Sequence, residues 1–115
     1  MFVSNINDIK GIPVNMDSVK NVTKHVLVGP EQGWDGWVMR MFTLDNQGYS
    51  PRHSHPWPHI NYFIGGKGTL FLDGKEYPVE TGSTAFVPSN LEHQFINNGE
   101  EALQFICIVP EEGEK

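Results

Sequence analysis

Gly and Pro interrupt this chain about every eight to twelve residues, and no other feature constrains its fold as strongly. With 12 Gly and 8 Pro among 115 residues, no stretch carries a helical apolar period with capping signals. The intervals are short β-rich runs: HVLV (25–28), WVMRMFTL (37–44), HINYFI (59–64), TLFL (69–72), EYPV (76–79), TAFV (84–87), HQFIN (93–97) and LQFICIV (103–109). Asp73-Gly74, between TLFL and KEYPV, is a two-residue loop of the kind that joins hairpin strands. Gly65-Gly66 and Asn98-Gly99 mark further turns. Many short strands in one small domain must hide their edges by closing or doubling over, so the expected fold is an all-β jelly-roll barrel.

The length suits a single domain over residues 1–115 that buries a core without disulfides. Residues 1–20 read as an extended segment, with IKGIPV as an edge strand broken by Pro13, packed on the barrel or on a dimer partner. The one cysteine, Cys107, excludes an intramolecular disulfide and fits a reducing compartment. The opening MFVSNINDIKGIPVN lacks a basic region followed by an apolar one, and no apolar run is long enough to span a bilayer, so the expected location is cytoplasmic. A formal charge of −6, with acids gathered in EEGEK, argues against nucleic acid or anionic lipid as partner. No basic stripe interleaved with aromatics points to nucleic acid either.

The chemistry concentrates in histidine. Of five histidines, three fall within His53-Ser-His55-Pro-Trp-Pro-His59. Residues two apart on a strand share a face, so His53 and His55 can present both imidazoles to one point. Pro-Trp-Pro reads as a tight corner, because two prolines cannot donate to a ladder. His59 then opens the next strand, and His93 heads a distant one. A lone histidine is ordinarily a surface or core residue, and His25, isolated on HVLV, is read so. A cluster of neutral imidazoles suits Zn, Cu, Ni or Fe.

Residues 48–66 resemble the first cupin motif, Gly-x5-His-x-His-x3,4-Glu-x6-Gly, reading here Gly48-x4-His53-x-His55-x3-His59-x6-Gly66. Residues 82–97 are similar to the second, Gly-x5-Pro-x-Gly-x2-His-x3-Asn, reading Gly82-x5-Pro88-x-Asn90-x2-His93-x3-Asn97. RHSHPW…H and FICIVPEEGE also resemble small single-domain bacterial cupins with manganese in a four-histidine site. The resemblance implies a double-stranded β-helix that holds one divalent metal per chain through His53, His55, His59 and His93. Manganese is the ion it suggests, with Fe, Ni, Cu and Zn as alternatives. Three departures stand out. The first gap is one residue short, Asn90 replaces a Gly, and His59 stands where most cupins carry Glu. Asn accepts left-handed backbone better than most residues. The His59 change removes the only anionic ligand and leaves the full +2 charge at the ion, which strengthens its Lewis acidity and disfavours Mg and Ca. Four ligands on an octahedral ion leave two open positions, whereas a closed tetrahedral site would be structural.

Around the histidines, Trp57 lines the mouth or packs on Pro56 and Pro58, and Arg40 reaches a substrate anion or a surface acid. Met39 and Met41 alternate on WVMRMFTL as core or dimer packing. Leu103, Phe105, Cys107 and Val109 share one face of the last strand, and Gln104, Ile106 and Ile108 share the other. The periodicity does not say which faces inward; the resemblance places Phe105 and Cys107 in the barrel. Cys107 reads equally as a small buried hydrophobe. No carboxylate or lysine flanks the histidines on their strand face, and Glu92, next to His93, points the other way. The expectation is therefore a dioxygenase-like, metal-dependent oxidoreductase acting on a small organic molecule, rather than an acid–base enzyme. The alternative is a non-catalytic metallo-cupin that binds or senses a metabolite. Both faces of LQFICIV are apolar, which calls for a homodimer.

Overall fold

A computed structural model describes residues 1–114. Nine strands build one curled sheet: β1 (Ile12–Pro13), β2 (Lys20–Val28), β3 (Trp37–Tyr49), β4 (His59–Gly65), β5 (Lys67–Leu72), β6 (Lys75–Glu80), β7 (Thr84–Val87), β8 (His93–Ile96) and β9 (Leu103–Pro110). The order is β6-β5-β8-β3-β9-β4-β7, with β2 laid along β3 and β1 along β2. Every pairing is antiparallel. The only helical pieces among the described residues are three short 3-10 turns at Ile6–Asp8, Pro30–Gln32 and Glu111–Gly113. The chain is an all-β jelly-roll barrel. Among the described residues no helix is long and apolar enough to cross a membrane.

The turn chemistry acts as the sequence predicts. Asp73 and Gly74 have φ values of 49° and 82°, and Leu72 pairs with Lys75 around them. Two successive positive φ values match the right-handed strand twist. Asn90, in the motif's glycine position, has φ 69°, and its N–H donates to the His55 carbonyl at 2.7 Å. At Gly66 a side chain would collide with the Ala102 carbonyl, so this motif glycine permits a close backbone approach.

Two strands run further than their apolar pattern. β2 begins at Lys20 and β3 continues to Tyr49, because Lys20 pairs with Tyr49 beyond an irregularity in the ladder. The long β3 also touches β8 through Tyr49 and Ile96 while lying along β9.

Alternation along the last strand is decided by the tertiary structure: Leu103, Phe105, Cys107 and Val109 are buried, and Gln104, Ile106 and Ile108 only partly so. The main core gathers Val22, Leu44, Phe63, Leu70, Val79, Phe95, Leu103 and Phe105. β4 and β8 each carry a histidine at one end and an aromatic core residue further along. Core and histidines therefore occupy the same interior at different heights.

Candidate metal centre

His53 and His93 meet as an isolated bridge between strand ends. His53 N donates to the His93 carbonyl at 3.1 Å, and His93 N donates back at 2.9 Å. His55 lies two residues on, held by Asn90, and its ring centroid is 4.7 Å from that of His93 and 5.2 Å from that of His53. One ring nitrogen from each of His53, His55 and His93 falls within 4.8 Å of the other two, a spacing that can hold a metal ion. His59 is outside that set of three. Its ring centroid is 5.0 Å from that of His93 and 5.4 Å from that of His55. Its Nε2 is 3.4 Å from His93 Nε2.

Three of these rings are held in one tautomer. His55 Nδ1 lies 2.7 Å from the Trp57 carbonyl and His93 Nδ1 lies 3.0 Å from the Leu91 carbonyl. A carbonyl oxygen only accepts, so each Nδ1 donates and carries the proton. His59 Nδ1 donates to Asn61 Oδ1 at 2.9 Å, and Asn61 Nδ2 donates to the Ile106 carbonyl at 3.4 Å. That second bond sets the amide's orientation. In each neutral ring Nε2 is then a bare lone pair, the arrangement in which a metal-binding histidine is held from behind. The His59 and His93 lone pairs face each other, a repulsion that a bound cation would relieve.

Burial and mutual repulsion keep the His53, His59 and His93 rings neutral. Burial is the first cause of a His59 pKa pushed down to about 3, and neighbouring His93 adds to it while the Asn61 hydrogen bond opposes. His53, more exposed at the rim, is pushed down to about 4 by partial burial, then by His93, His55 and Arg40. Burial also lowers His93, against the bond to Leu91. Neutral imidazole is the ligand form. The donor set of His53, His55 and His93 fits a borderline transition metal, which these residues would hold through nitrogen alone.

A cavity of about 300 Å³ opens over the histidines, at the small end of the range for ligand pockets. Phe42, Phe95, Phe105, Leu44 and Val22 form an apolar wall. Phe95 and Phe105 stack with centroids 4.3 Å apart. Arg40, Trp57, Phe105 and Cys107 all line the cavity. Trp57 stacks on His55 at 4.8 Å and an 11° interplanar angle. Arg40 Nη2 lies 3.5 Å from Cys107 Sγ, and burial raises the thiol's pKa, so Cys107 remains a protonated, packed side chain. His25 stands apart from the cluster, and its buried Nδ1 has no hydrogen-bond partner among the described residues.

Lys24 and Glu114 both line the cavity, although no lysine or carboxylate shares a strand face with the histidines. They arrive from β2 and from beyond the last 3-10 turn, elements that alternation along the histidine strands does not reach. Asn61 carried a legible signal, since it sits two residues from His59 on the same strand face. Glu114 carried none.

The Cupin domain family (Cupin_2) matches residues 40–109, and the chain belongs to that family. It is 35% identical over 69 residues to auxin-binding protein 1 of Arabidopsis thaliana, covering 52% of this chain and 35% of that protein. The chain thus spans only a little over a third of the length of the curated relatives it matches. Among solved structures it resembles the polyketide cyclase RemF of Streptomyces resistomycificus, with TM-score 0.89 and 27% identity over 96% of this chain and 79% of that one. A predicted oxalate decarboxylase of Thermotoga maritima shares the fold, with TM-score 0.86 and 23% identity over 95% of this chain and 98% of that one.

Proposed function

We propose that this chain is a metal-dependent enzyme acting on a small organic molecule, with one divalent transition metal held by His53, His55 and His93 and by His59 as fourth ligand. The observation that carries this reading is the convergence of ring nitrogens at the mouth of an apolar cavity, three of them freed by Nδ1–H bonds to carbonyl oxygens. For His59 the support is its 3.4 Å approach to His93 Nε2. A bound metal would supply a Lewis-acidic centre with positions open to substrate and dioxygen. The chain's own contribution is to hold the imidazoles neutral, fix their tautomers and line the approach with Phe42, Phe95 and Phe105.

The reaction we assign is oxidative and dioxygenase-like, with manganese as the ion suggested by the resemblance in the histidine motif. A second reading is ring closure without oxygen. It is favoured by the likeness to a polyketide cyclase and by the ionisable Lys24 and Glu114 on the cavity wall. We also propose a homodimer, with residues 1–20 packed on the barrel or on the second copy. Ile60, Tyr62, Ile64 and Phe86 are exposed on the outer sheet face, Ile60 directly opposite Phe86. The free Cys107 suits a reducing, cytoplasmic setting.

Elemental analysis of protein purified without a metal-chelating tag, on wild type and His59→Ala, is the first test. About one equivalent of Mn, Fe, Ni or Cu, reduced in the variant, is expected. Oxygen uptake with flat phenolic or diketone compounds then separates the oxidative reading from ring closure. A full equivalent of zinc whose removal collapses the melting temperature would make the site structural, and no metal at all would sink the assignment.

A further inference from the structure

The carboxylate of Glu114 is clamped between two cations on the cavity wall. Its Oε2 lies 2.6 Å from Lys24 Nζ, and its Oε1 lies 3.1 Å from Arg40 Nη1. The three side chains are only 13–23% exposed, so this contact is shielded more than an ordinary surface ion pair. The two cations sit on neighbouring strands, β2 and β3. Glu114 comes from outside the sheet, after the turn Glu111–Gly113.

Arg40 is under-used by this partner. Nη1 also donates to the Gly113 carbonyl at 3.3 Å, while among the described residues Nη2 hydrogen-bonds only to the Cys107 thiol, a weak acceptor. Among the described residues its Nε is buried with no hydrogen-bond partner, and the guanidinium lies over the Phe42 ring, 4.9 Å from its centroid. Buried guanidinium donors are ordinarily satisfied, and the fork of Nε and Nη matches a carboxylate held in two-point fashion. Among the described residues two cations also face a single carboxylate. The cavity thus has a histidine side, an aromatic wall and a cationic corner that Glu114 neutralises only in part, all lining one space.

We propose that Lys24 and Arg40 form the carboxylate subsite of this cavity and that Glu114 fills it in the absence of ligand. The inference rests on the reading of the cavity as a small-molecule site and names its ligand class: an organic acid with a flat apolar body. The acid group replaces Glu114 between Lys24 and Arg40, and the body lies along Phe42, Phe95 and Phe105. Gly113 abuts Trp57 so closely that a Cβ there would come within 2.7 Å of the indole nitrogen.

The test compares 2-naphthoate with its uncharged amide by calorimetry, on wild type, Glu114→Gln and Lys24→Met, each as purified and after chelation, with metal content measured on the same samples. Glu114→Gln is expected to bind 2-naphthoate about tenfold more tightly than wild type and the amide equally well. Lys24→Met, checked for an unchanged melting temperature, is expected to lose the preference for the acid. An unchanged acid-to-amide ratio in Glu114→Gln would make Glu114 a mere pin for the chain and overturn the proposal. So would failure of every protein to bind 2-naphthoate, or a preference that vanishes on chelation, since the metal would then be reading the acid. A protein that contains no metal yet still prefers the acid would overturn the metal assignment while leaving this subsite standing.

Discussion

The two ends of the barrel interior treat buried polar atoms in opposite ways. At the packed end Asn97 is 2% exposed and fully employed. Its Nδ2 donates to the Leu44, Asp45 and Glu101 carbonyls at 2.9–3.1 Å, and its Oδ1 accepts from Gly99 N. At the other end His59 and His93 are as deeply buried, but their Nδ1 atoms alone are bound to oxygen acceptors, and their Nε2 atoms point at each other. Both ends are served by the same strands, since β8 runs from His93 through Phe95 towards Asn97 and β4 from His59 through Asn61 to Phe63. A folded chain satisfies its buried polar groups wherever it can. Polar groups that are oriented from behind yet left facing one another mark the place where a ligand from outside completes the set.

The largest expected effect breaks the packed end. Phe63 is fully buried against Phe95 and Phe105, so Phe63→Ala should cost about 3–5 kcal/mol in denaturant unfolding. Metal stoichiometry in the fraction that remains folded should be unchanged. If that stoichiometry falls in step with stability, the two ends are not separable.

A smaller effect sharpens the comparison at the histidine end. Asn61→Ala leaves the His59 ring free to turn, and loss of such a supporting bond typically weakens metal affinity about 10–100-fold. A competitive chelator titration measures it. An affinity equal to wild type would remove His59 from the ligand set.

The mildest perturbation is acid. The unfolded chain binds protons at histidine near 6.5, whereas folded His59 and His53 do so only near about 3 and 4. Unfolded protein therefore holds more protons in that window, and stability falls as pH drops from about 6.5 towards 3. The melting temperature of metal-free protein should decline steadily on acidification, and the slope should be the same in Phe63→Ala. A His59→Phe variant should flatten it; an unchanged slope would place the titrating groups elsewhere.

Much of this protein is legible in its sequence because it depends on local rules. Turn residues such as Asp73-Gly74 and Asn90 fix where the chain reverses, β-branched and aromatic runs fix the strands, and His53, His55, His59 and His93 stand in a spacing that brings imidazoles together. Period-two alternation also binds Phe105 to Cys107 and Leu103, whichever way the strand faces. The inward face of β9, the extension of β3 to Tyr49, and the meeting of Lys24, Arg40 and Glu114 were decided by the tertiary structure alone. Lys24 and Glu114 are 90 residues apart in the chain, and only closure of the sheet brings them to one cavity. Local preference acts over a few residues, and the carbonyls that hold the His55, His59 and His93 rings lie only two residues away, whereas a carboxylate between two cations depends on which strands become neighbours.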